Sequence, residues 1–516
     1  MKIILILAAA LLTALSGILS GRRLLHVLQL ESYQLPGYFR SLRRGIVHLV
    51  WPGAALALVC VPVLWAPSQP LVAWVGLTAL QAALGASLWF WRSRQKEKKR
   101  FVLTERVRRL LAVHLGVSTL AALLLFALCP QGMLLLPVFE PLLLALAARC
   151  AEPIERRINR QFADDARARL QAMPKLIRIG ITGSYGKTST KFLLRDILSV
   201  RWNVLATPGS FNTTMGVTRV IREMLTGTAD VFIAEMGARH PGDIAELMEL
   251  VQPTVGILTS IGPQHLDTFG SVEGVAAAKN ELLLGLPEEG IAVVAHGTYC
   301  DPLYEACTVR NKAQSDTLLA CEDVRVGSWG TRFTLIQRST GERVSCETQL
   351  LGTHAIDNLM LCAHAALMLG MTLSEVAQGI RRCKPVEHRL QLIAGGTITI
   401  IDDAFNSNPA GAAAAMEVLA AFPGRHVVVT PGMVELGAEE AAYNRALGGQ
   451  IAAAADLVFL VGKKHTAPIA EGLREAGFPE ESLHIVQDLD EARRRMERLL
   501  HAGDVVLYEN DLPDNY

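Results

Sequence analysis

LIRIGITGSYGKTST (176–190) decides the fold. A short β-rich run, LIRIGIT, ends in a glycine-bearing loop and passes directly into a helix-like segment over 188–200. In that setting Gly183 and Gly186 let backbone N–H groups wrap an anion. Lys187 can reach β- and γ-phosphates, Thr188 can hold Mg²⁺, and the helix N-terminus adds its positive dipole. The spacing departs from the usual GxxxxGK[ST] pattern, because only Ser184 and Tyr185 separate the two glycines.

Outward from this loop the chain alternates strand and helix. VFIAE (231–235), VGILTS (255–260) and IAVVA (291–295) read as buried strands, with helices over 241–251 and 272–285 between them. This rhythm predicts an α/β fold, a parallel sheet covered by helices on both faces. Residues 320–350 alternate apolar and polar with turn signals, which predicts a small antiparallel excursion. A second α/β rhythm follows in ITIID (398–402), HVVVT (426–430), LVFLV (457–461) and VVLY (505–508). It predicts a Rossmann-like C-terminal domain over 386–516, after a central ATP-binding P-loop domain over 151–385.

The front of the chain differs. Of all 516 residues 51% are hydrophobic and 19% charged, and the apolar excess is concentrated before residue 150. Apolar stretches at 3–20, 46–66, 70–91, 110–129 and 132–148 predict an α-helical transmembrane domain of about five spans over 1–150. Glu140-Pro141 interrupts the last one and suggests a kink or an interfacial segment. The polar stretch 152–173 reads as a connecting helix. Arg22, Arg23, Arg40, Arg43 and Arg44 crowd the loop 21–45, and the loop 92–109 holds a further basic cluster that includes Lys96, Lys98, Lys99 and Arg100. Basic loops stay cytoplasmic, so the topology predicts an external N-terminus and five crossings that deliver residue 149 onward to the cytoplasm, with membrane lipids as partners.

Composition excludes several classes. Lys and Arg total 50 against 49 acidic residues, so no global positive field points to nucleic acid. The nine cysteines occur singly, with no CxxC pair, which fits neither a Cys-rich zinc ribbon nor a disulfide scaffold.

Glu235, His265 and Lys279 each have an ordinary reading as a surface or structural residue. Together with TGSYGKTST, GSFNTTMGV (209–217), AEMGARHPGDIAEL (234–247), SIGPQHLDTFGSVEGVAAAKNEL (260–282), GTHAIDNLMLCAHA (352–365), EHRL (387–390), IDDAFNSNP (401–409) and PGMVELG (431–437), they resemble the Mur ligases. Within that family the likeness is to the members that add D-alanyl-D-alanine to a muramyl tripeptide. The blocks keep the family's order from 182 to 437.

The resemblance implies an ATP-dependent, ADP-forming ligase of cell-wall peptide metabolism. An acceptor carboxylate would be phosphorylated to an acyl phosphate, and an amino acid or dipeptide amine would displace phosphate. It places Gly183, Ser184, Gly186, Lys187, Thr188, Ser189, His354, Asn358, Arg389 and Asp403 at the nucleotide. Thr188 and Glu235 would hold one Mg²⁺, and His265 with a carbamylated Lys279 a second. Lys187, Lys279, His265 and Arg389 would be the catalytic set. Asp402, Asp403, Asn406 and Asn408 match the motif facing the ATP and the incoming amine.

Three departures stand out. The family's Ser and Tyr are Ala404 and Phe405; the family's KGS after the final strand is replaced within YENDLPDNY (508–516); and membrane spans stand where relatives carry a uridine-nucleotide domain. The last departure suggests a membrane-proximal, lipid-linked muramyl-peptide acceptor. The alternatives are a membrane-associated poly-γ-glutamate-type polymer ligase and a non-catalytic ATP-binding scaffold. A glutamine-dependent amidase subunit is disfavoured because its zinc-binding cysteines are absent.

Overall fold

Six strands build the first sheet: β1 (Ile177–Thr182), β2 (Val204–Ala206), β3 (Val231–Glu235), β4 (Val255–Leu258), β5 (Ile291–Val294) and β6 (Asn311–Gln314). Their order is β2-β3-β1-β4-β5-β6, and every neighbouring pair is parallel. Successive side chains of a strand point to opposite faces, and both faces here are apolar. Ile179, Ile181, Val231, Ile233, Val255 and Ile257 pack on one side, against Leu193, Leu194 and Ile197 of the helix Lys187–Leu198 and against the helix Thr353–Met368. Phe232, Ala234, Leu258, Ala292 and Val294 face the other side, against the helices Thr214–Met224, Asp243–Val251 and Val272–Leu284.

The structure, a computed structural model, describes residues 1–58, 71–94, 100–327, 329–394, 396–405, 407–434, 436–463 and 465–511. It divides into two compact units, one spanning Met1–Gln161 and one beginning at Phe162.

The antiparallel excursion is a three-stranded sheet of β7 (Leu319–Gly327), β8 (Gly330–Gln337) and β9 (Arg343–Thr348). The second six-stranded sheet contains β10 (Gln391–Ala394), β11 (Thr399–Asp403), β12 (His426–Thr430), β13 (Leu457–Val461), β14 (Leu483–Val486) and β15 (Val505–Glu509). Its order is β10-β11-β15-β12-β13-β14, parallel throughout except that β10 runs antiparallel to β11. The last strand therefore returns between β11 and β12 and carries residues 505–509 into the middle of the sheet.

Among the described residues, four helical segments are long and apolar enough to cross a membrane: Lys2–Ser20, Leu71–Ser93, Glu105–Leu128 and Gly132–Gln171, the last running on into the second unit. The expected span 46–66 is a helix over Ile46–Leu58, with its remainder outside the described residues. Lys96, Lys98 and Lys99 of the basic cluster also lie outside them. Two readings need correction. The stretch 21–45 is not a loop; it forms the helices Arg22–Leu30 and Leu35–Arg44, because Leu24, Leu25, Leu28, Tyr38 and Leu42 make a buried apolar face while Arg23, Arg40, Arg43 and Arg44 stay exposed. The polar stretch 152–173 is not a separate element either, since the helix Glu140–Gln171 runs unbroken through residue 150. Glu140 begins that helix where a 3-10 stretch, Pro130–Phe139, ends. Its carboxylate is buried against the first helix, where a Cβ on Gly17 would lie 2.7 Å from Glu140 Oε2. His114 Nε2 lies 3.2 Å from the other carboxylate oxygen.

Candidate functional site

The first sheet changes direction at β1. The chain leaves β1 for β2 and β3 on one side and then crosses to β4 on the other. The carboxyl ends of β1, β3 and β4 thus border the crevice where such sheets take ligands.

The glycine loop emerges into this crevice. Gly183 has φ +150°, and a Cβ there would lie 2.1 Å from Thr259 Oγ1; Gly186 has φ +79°, and a Cβ would lie 2.6 Å from Asn358 Oδ1. Both positions therefore require glycine. The loop is laced to the segment that follows β4. Ser184 N–H donates to the Ser260 carbonyl at 2.7 Å, the Ser184 hydroxyl to the Gly262 carbonyl at 3.1 Å, and Tyr185 N–H to Ser260 Oγ at 3.0 Å. The Tyr185 hydroxyl donates to the Pro263 carbonyl at 2.6 Å. The helix Lys187–Leu198 starts at the loop's end and directs its unpaired N–H groups into it.

Lys187 folds back over the loop, donating to the carbonyls of Gly183 at 2.6 Å and Ser184 at 2.9 Å. Burial pushes its ammonium down to about 8; the nearby Glu235 opposes the shift and Arg389 adds to it. Thr188 is buried and Ser189 half-buried. One turn along, the Thr190 hydroxyl donates to Asn358 Oδ1 at 3.1 Å, tying this helix to Thr353–Met368. His354 stands four residues before Asn358, on the same helix face. Its Nδ1 is buried without a hydrogen-bond partner, and burial lowers its pKa to about 4, leaving the ring neutral at physiological pH.

Glu235 ends β3 beside Ile181 of β1 and is buried. The sequence reading missed its partner. Lys191, fully buried, donates to Glu235 Oε2 at 2.9 Å and to the Gly209 carbonyl at 2.5 Å, while Asn212 Nδ2 donates to Oε1 at 3.1 Å. Burial works to raise the Glu235 carboxyl, but Lys191, Lys187 and Asn212 outweigh it and hold the group below its ordinary value. The available signal was helical spacing: Lys191 lies four residues after Lys187 and three after Thr188, on one face.

Lys279 is buried on the helix Val272–Leu284. Burial, reinforced by the Lys187 ammonium, pushes it down to about 7. His265 has φ +52° and precedes the short helix Leu266–Phe269. Among the described residues no group of three His, Cys, Asp or Glu is placed to hold a metal. Arg389 comes from the segment before β10, yet its charge interacts with both Glu235 and Asp403. Its guanidinium lies 4.5 Å above the Phe405 ring, and its Nε is buried without a partner.

The second sheet brings a different set to its carboxyl edge. Asp402 Oδ2 and His388 Nδ1 are 2.7 Å apart, and Asp402 Oδ1 accepts the Ala404 N–H at 3.1 Å. Asp403 Oδ1 accepts the Leu390 N–H at 3.1 Å, and burial pushes this acid up to about 6. Glu509, on β15, is the register partner of Asp403. It accepts the Ser407 hydroxyl and, at 2.9 Å, the Thr430 hydroxyl; burial pushes it up to about 7. Asn510 has φ +68°, accepts the Ser407 N–H at 3.1 Å and donates to the Gly432 carbonyl at 2.6 Å. The end of β15 thus clamps the loops that follow β11 and β12. Asn408 caps the helix Pro409–Ala420 through Gly411 N–H at 2.9 Å, and Asn406 lies outside the described residues.

Residues 181–366 match the Mur ligase middle domain, and residues 388–508 match the Mur ligase, glutamate ligase domain. UDP-N-acetylmuramoyl-tripeptide--D-alanyl-D-alanine ligase of Escherichia coli (strain K12) is 36% identical over 309 residues, 58% of this chain and 67% of that relative. The Bacillus subtilis (strain 168) protein of the same name is 30% identical over 349 residues, 67% of this chain and 75% of the relative. Among solved structures, a MurF from Acinetobacter baumannii superposes with a TM-score of 0.63 at 25% identity, covering 68% of this chain and 77% of that one. The MurF ligase of Thermotoga maritima in complex with ADP shares the fold, with a TM-score of 0.61 over 68% of this chain and 80% of that one.

Proposed function

The chain belongs to the Mur ligase family of ATP-dependent C–N bond-forming ligases, and we propose that it joins a muramyl-tripeptide carboxylate to D-alanyl-D-alanine in assembling the peptidoglycan precursor. The observation that carries this reading is the cation set, fully buried Lys191 with half-buried Lys187 and Arg389, gathered with Glu235 around a preformed anion loop. Arg389 Nε is an orphaned buried donor, which suits a ligand phosphate oxygen.

Chemistry follows from position. The acceptor carboxylate attacks the γ-phosphorus of ATP, the bond to the β-phosphate oxygen breaks, and ADP leaves. The amine then attacks the acyl carbon, and phosphate departs with one oxygen of the former carboxylate. Lys187 exchanges the loop carbonyls for the transferring phosphoryl oxygens, and Arg389 meets the same charge from the other side. His354, neutral, and Asn358 line the nucleotide. The amine must lose a proton before or as it attacks, and Asp403, held near neutral pH, stands on that side of the site with Asp402.

Thr188 and Glu235 offer the hard oxygen donors that Mg²⁺ prefers. Bound there, Mg²⁺ supplies charge neutralisation for the phosphates. A second ion needs more carboxylate than His265 and Lys279 provide as they stand. Carbamylation fits that need: burial lowers the Lys279 ammonium to about 7, and the neutral amine can add CO₂ with release of one proton, giving the site an anionic oxygen.

The four apolar helical segments support membrane attachment, and through it a second reading of the acceptor as lipid-linked; the basic clusters before and after Leu71–Ser93 favour a cytoplasmic catalytic part. The polymer-ligase and scaffold alternatives gain no support from the matched relatives. Full-length protein in bilayer discs, given ATP, Mg²⁺, D-alanyl-D-alanine and a uridine-diphosphate- or lipid-diphosphate-linked muramyl tripeptide, tests the proposal by product mass. A product heavier than the acceptor by one dipeptide less water is expected. Its absence with both acceptors would refute the assignment.

A further inference from the structure

Away from the crevice, the second sheet carries an unneutralised group of cations. Lys463 follows β13, Gln487 follows β14, and Arg494, Arg495 and Arg498 stand on the helix Leu489–Leu499 that leads into β15. They line an open cleft of about 580 Å³ together with Ile485 and Val486, and the one acid there is Glu491. That acid is already engaged: it accepts the Gln487 N–H at 2.8 Å and an Arg495 N–H at 2.7 Å. Among the described residues no ion pair or side-chain hydrogen bond engages Lys463, Arg494 or Arg498. Arg498 opposes the dipole at the end of its own helix, but that does not account for a lysine delivered by a separate strand. In a chain whose net charge is only +1, this is a local concentration of positive charge.

We propose that this cleft binds the diphosphate of the acceptor, a deepening that rests on the muramyl-peptide reading above. The dimensions agree. Lys463 and Gln487 lie beyond the carboxyl ends of their strands, on the same sheet edge as Asp403. With strands about 4.8 Å apart, β13 and β14 stand roughly 14 and 19 Å along that edge from β11. A tripeptide in extended form spans about 10 Å, and the amino sugar between it and the diphosphate covers the remainder. The ligand chemistry is a diphosphate ester; a soluble uridine-linked acceptor and a lipid-linked one both carry it.

The test compares the full-length protein with the variant Lys463→Ala/Arg494→Ala/Arg498→Ala, whose three positions are exposed. Calorimetry with inorganic pyrophosphate, the nucleotide site filled with ADP, reads the cleft independently of turnover; at least a tenfold loss of affinity is expected in the variant. In kinetics, the KM for a diphosphate-bearing acceptor should rise at least tenfold, with kcat and the KM for ATP within twofold. A muramyl tripeptide lacking phosphate should be unaffected. Comparing uridine-linked and lipid-linked acceptors identifies which source the cleft serves. Unchanged pyrophosphate binding, or an equal KM rise for the phosphate-free acceptor, would overturn the proposal. If the unsubstituted protein turns over neither acceptor, the muramyl-peptide reading fails while pyrophosphate binding still decides the cleft.

Discussion

The crevice at the carboxyl ends of the first sheet and the adjoining ends of β11 and β15 in the second carry opposite charge. At the first, Lys187, Lys191 and Arg389 surround Glu235; at the second, Asp402, Asp403 and Glu509 end adjacent strands. Each edge solves the cost of burying charge in its own way. The first satisfies its ammonium groups with backbone carbonyls and one carboxylate, leaving contacts that a phosphate can take over. The second holds two of its acids under hydroxyl and amide donors, with their proton affinities raised toward neutrality. The contrast teaches that one fold principle, strand ends converging where the chain reverses direction, can build a receptor for anions or a proton-holding site, depending on which side chains the strands end in.

The largest effect should come from removing the centre of the cationic edge. Lys187→Ala is expected to cost roughly a thousandfold in ligation rate, about 4 kcal/mol, while ellipticity and melting temperature stay close to the parent's. Near-normal turnover would remove the loop from the chemistry. Lys279→Ala should also lose most activity and regain part of it with added acetate, and the parent's activity should rise with bicarbonate as pH passes upward through 7, where the neutral amine forms. Full activity of Lys279→Ala without rescue would make this lysine a packing residue.

The anionic edge is tested by pH. Folding raises Glu509 from its ordinary 4.5 to about 7, so the native state holds this proton more tightly than the unfolded chain does. Its contribution is complete below about pH 4.5 and is lost as pH climbs to about 7, a decline of at most about 3 kcal/mol. Glu509→Gln should flatten that decline, matching the parent's melting temperature at pH 5 and exceeding it at pH 8. Parallel melting curves of parent and variant across that range would contradict the assigned proton. The smallest effect is expected at Phe405, whose ring supports the Arg389 guanidinium. Phe405→Ala should weaken that support by about 1 kcal/mol, seen as a few-fold rise in the KM for ATP, whereas Phe405→Tyr should keep it.

Much of the first edge was legible in the sequence because its determinants are local. The loop glycines, Lys187 and Thr188 are contiguous, and hydrophobic runs announce β1, β3, β4 and β5. Short strands such as β2, β6 and β14 escaped notice, being three or four residues long and carried by pairing partners rather than by their own pattern. Lys191 escaped because its role depends on Glu235, 44 residues away. The second edge was only half legible. The motif IDDAFNSNP marked β11, but Glu509 and Asn510 acquire meaning only when β15 inserts beside β11, which no local signal encodes. In the first unit apolar length was readable, whereas the burial of Glu140 against Gly17 depends on how the helices pack.

The claim that joins the two edges is that the acceptor carboxylate is activated at the first before the amine is joined at the second. Acceptor labelled with ¹⁸O in its terminal carboxylate tests it most directly. With ATP and D-alanyl-D-alanine present, one ¹⁸O per turnover is expected in the released inorganic phosphate, measured by mass spectrometry or by the isotope shift in ³¹P spectra. Amide product accompanied by unlabelled phosphate would contradict that order.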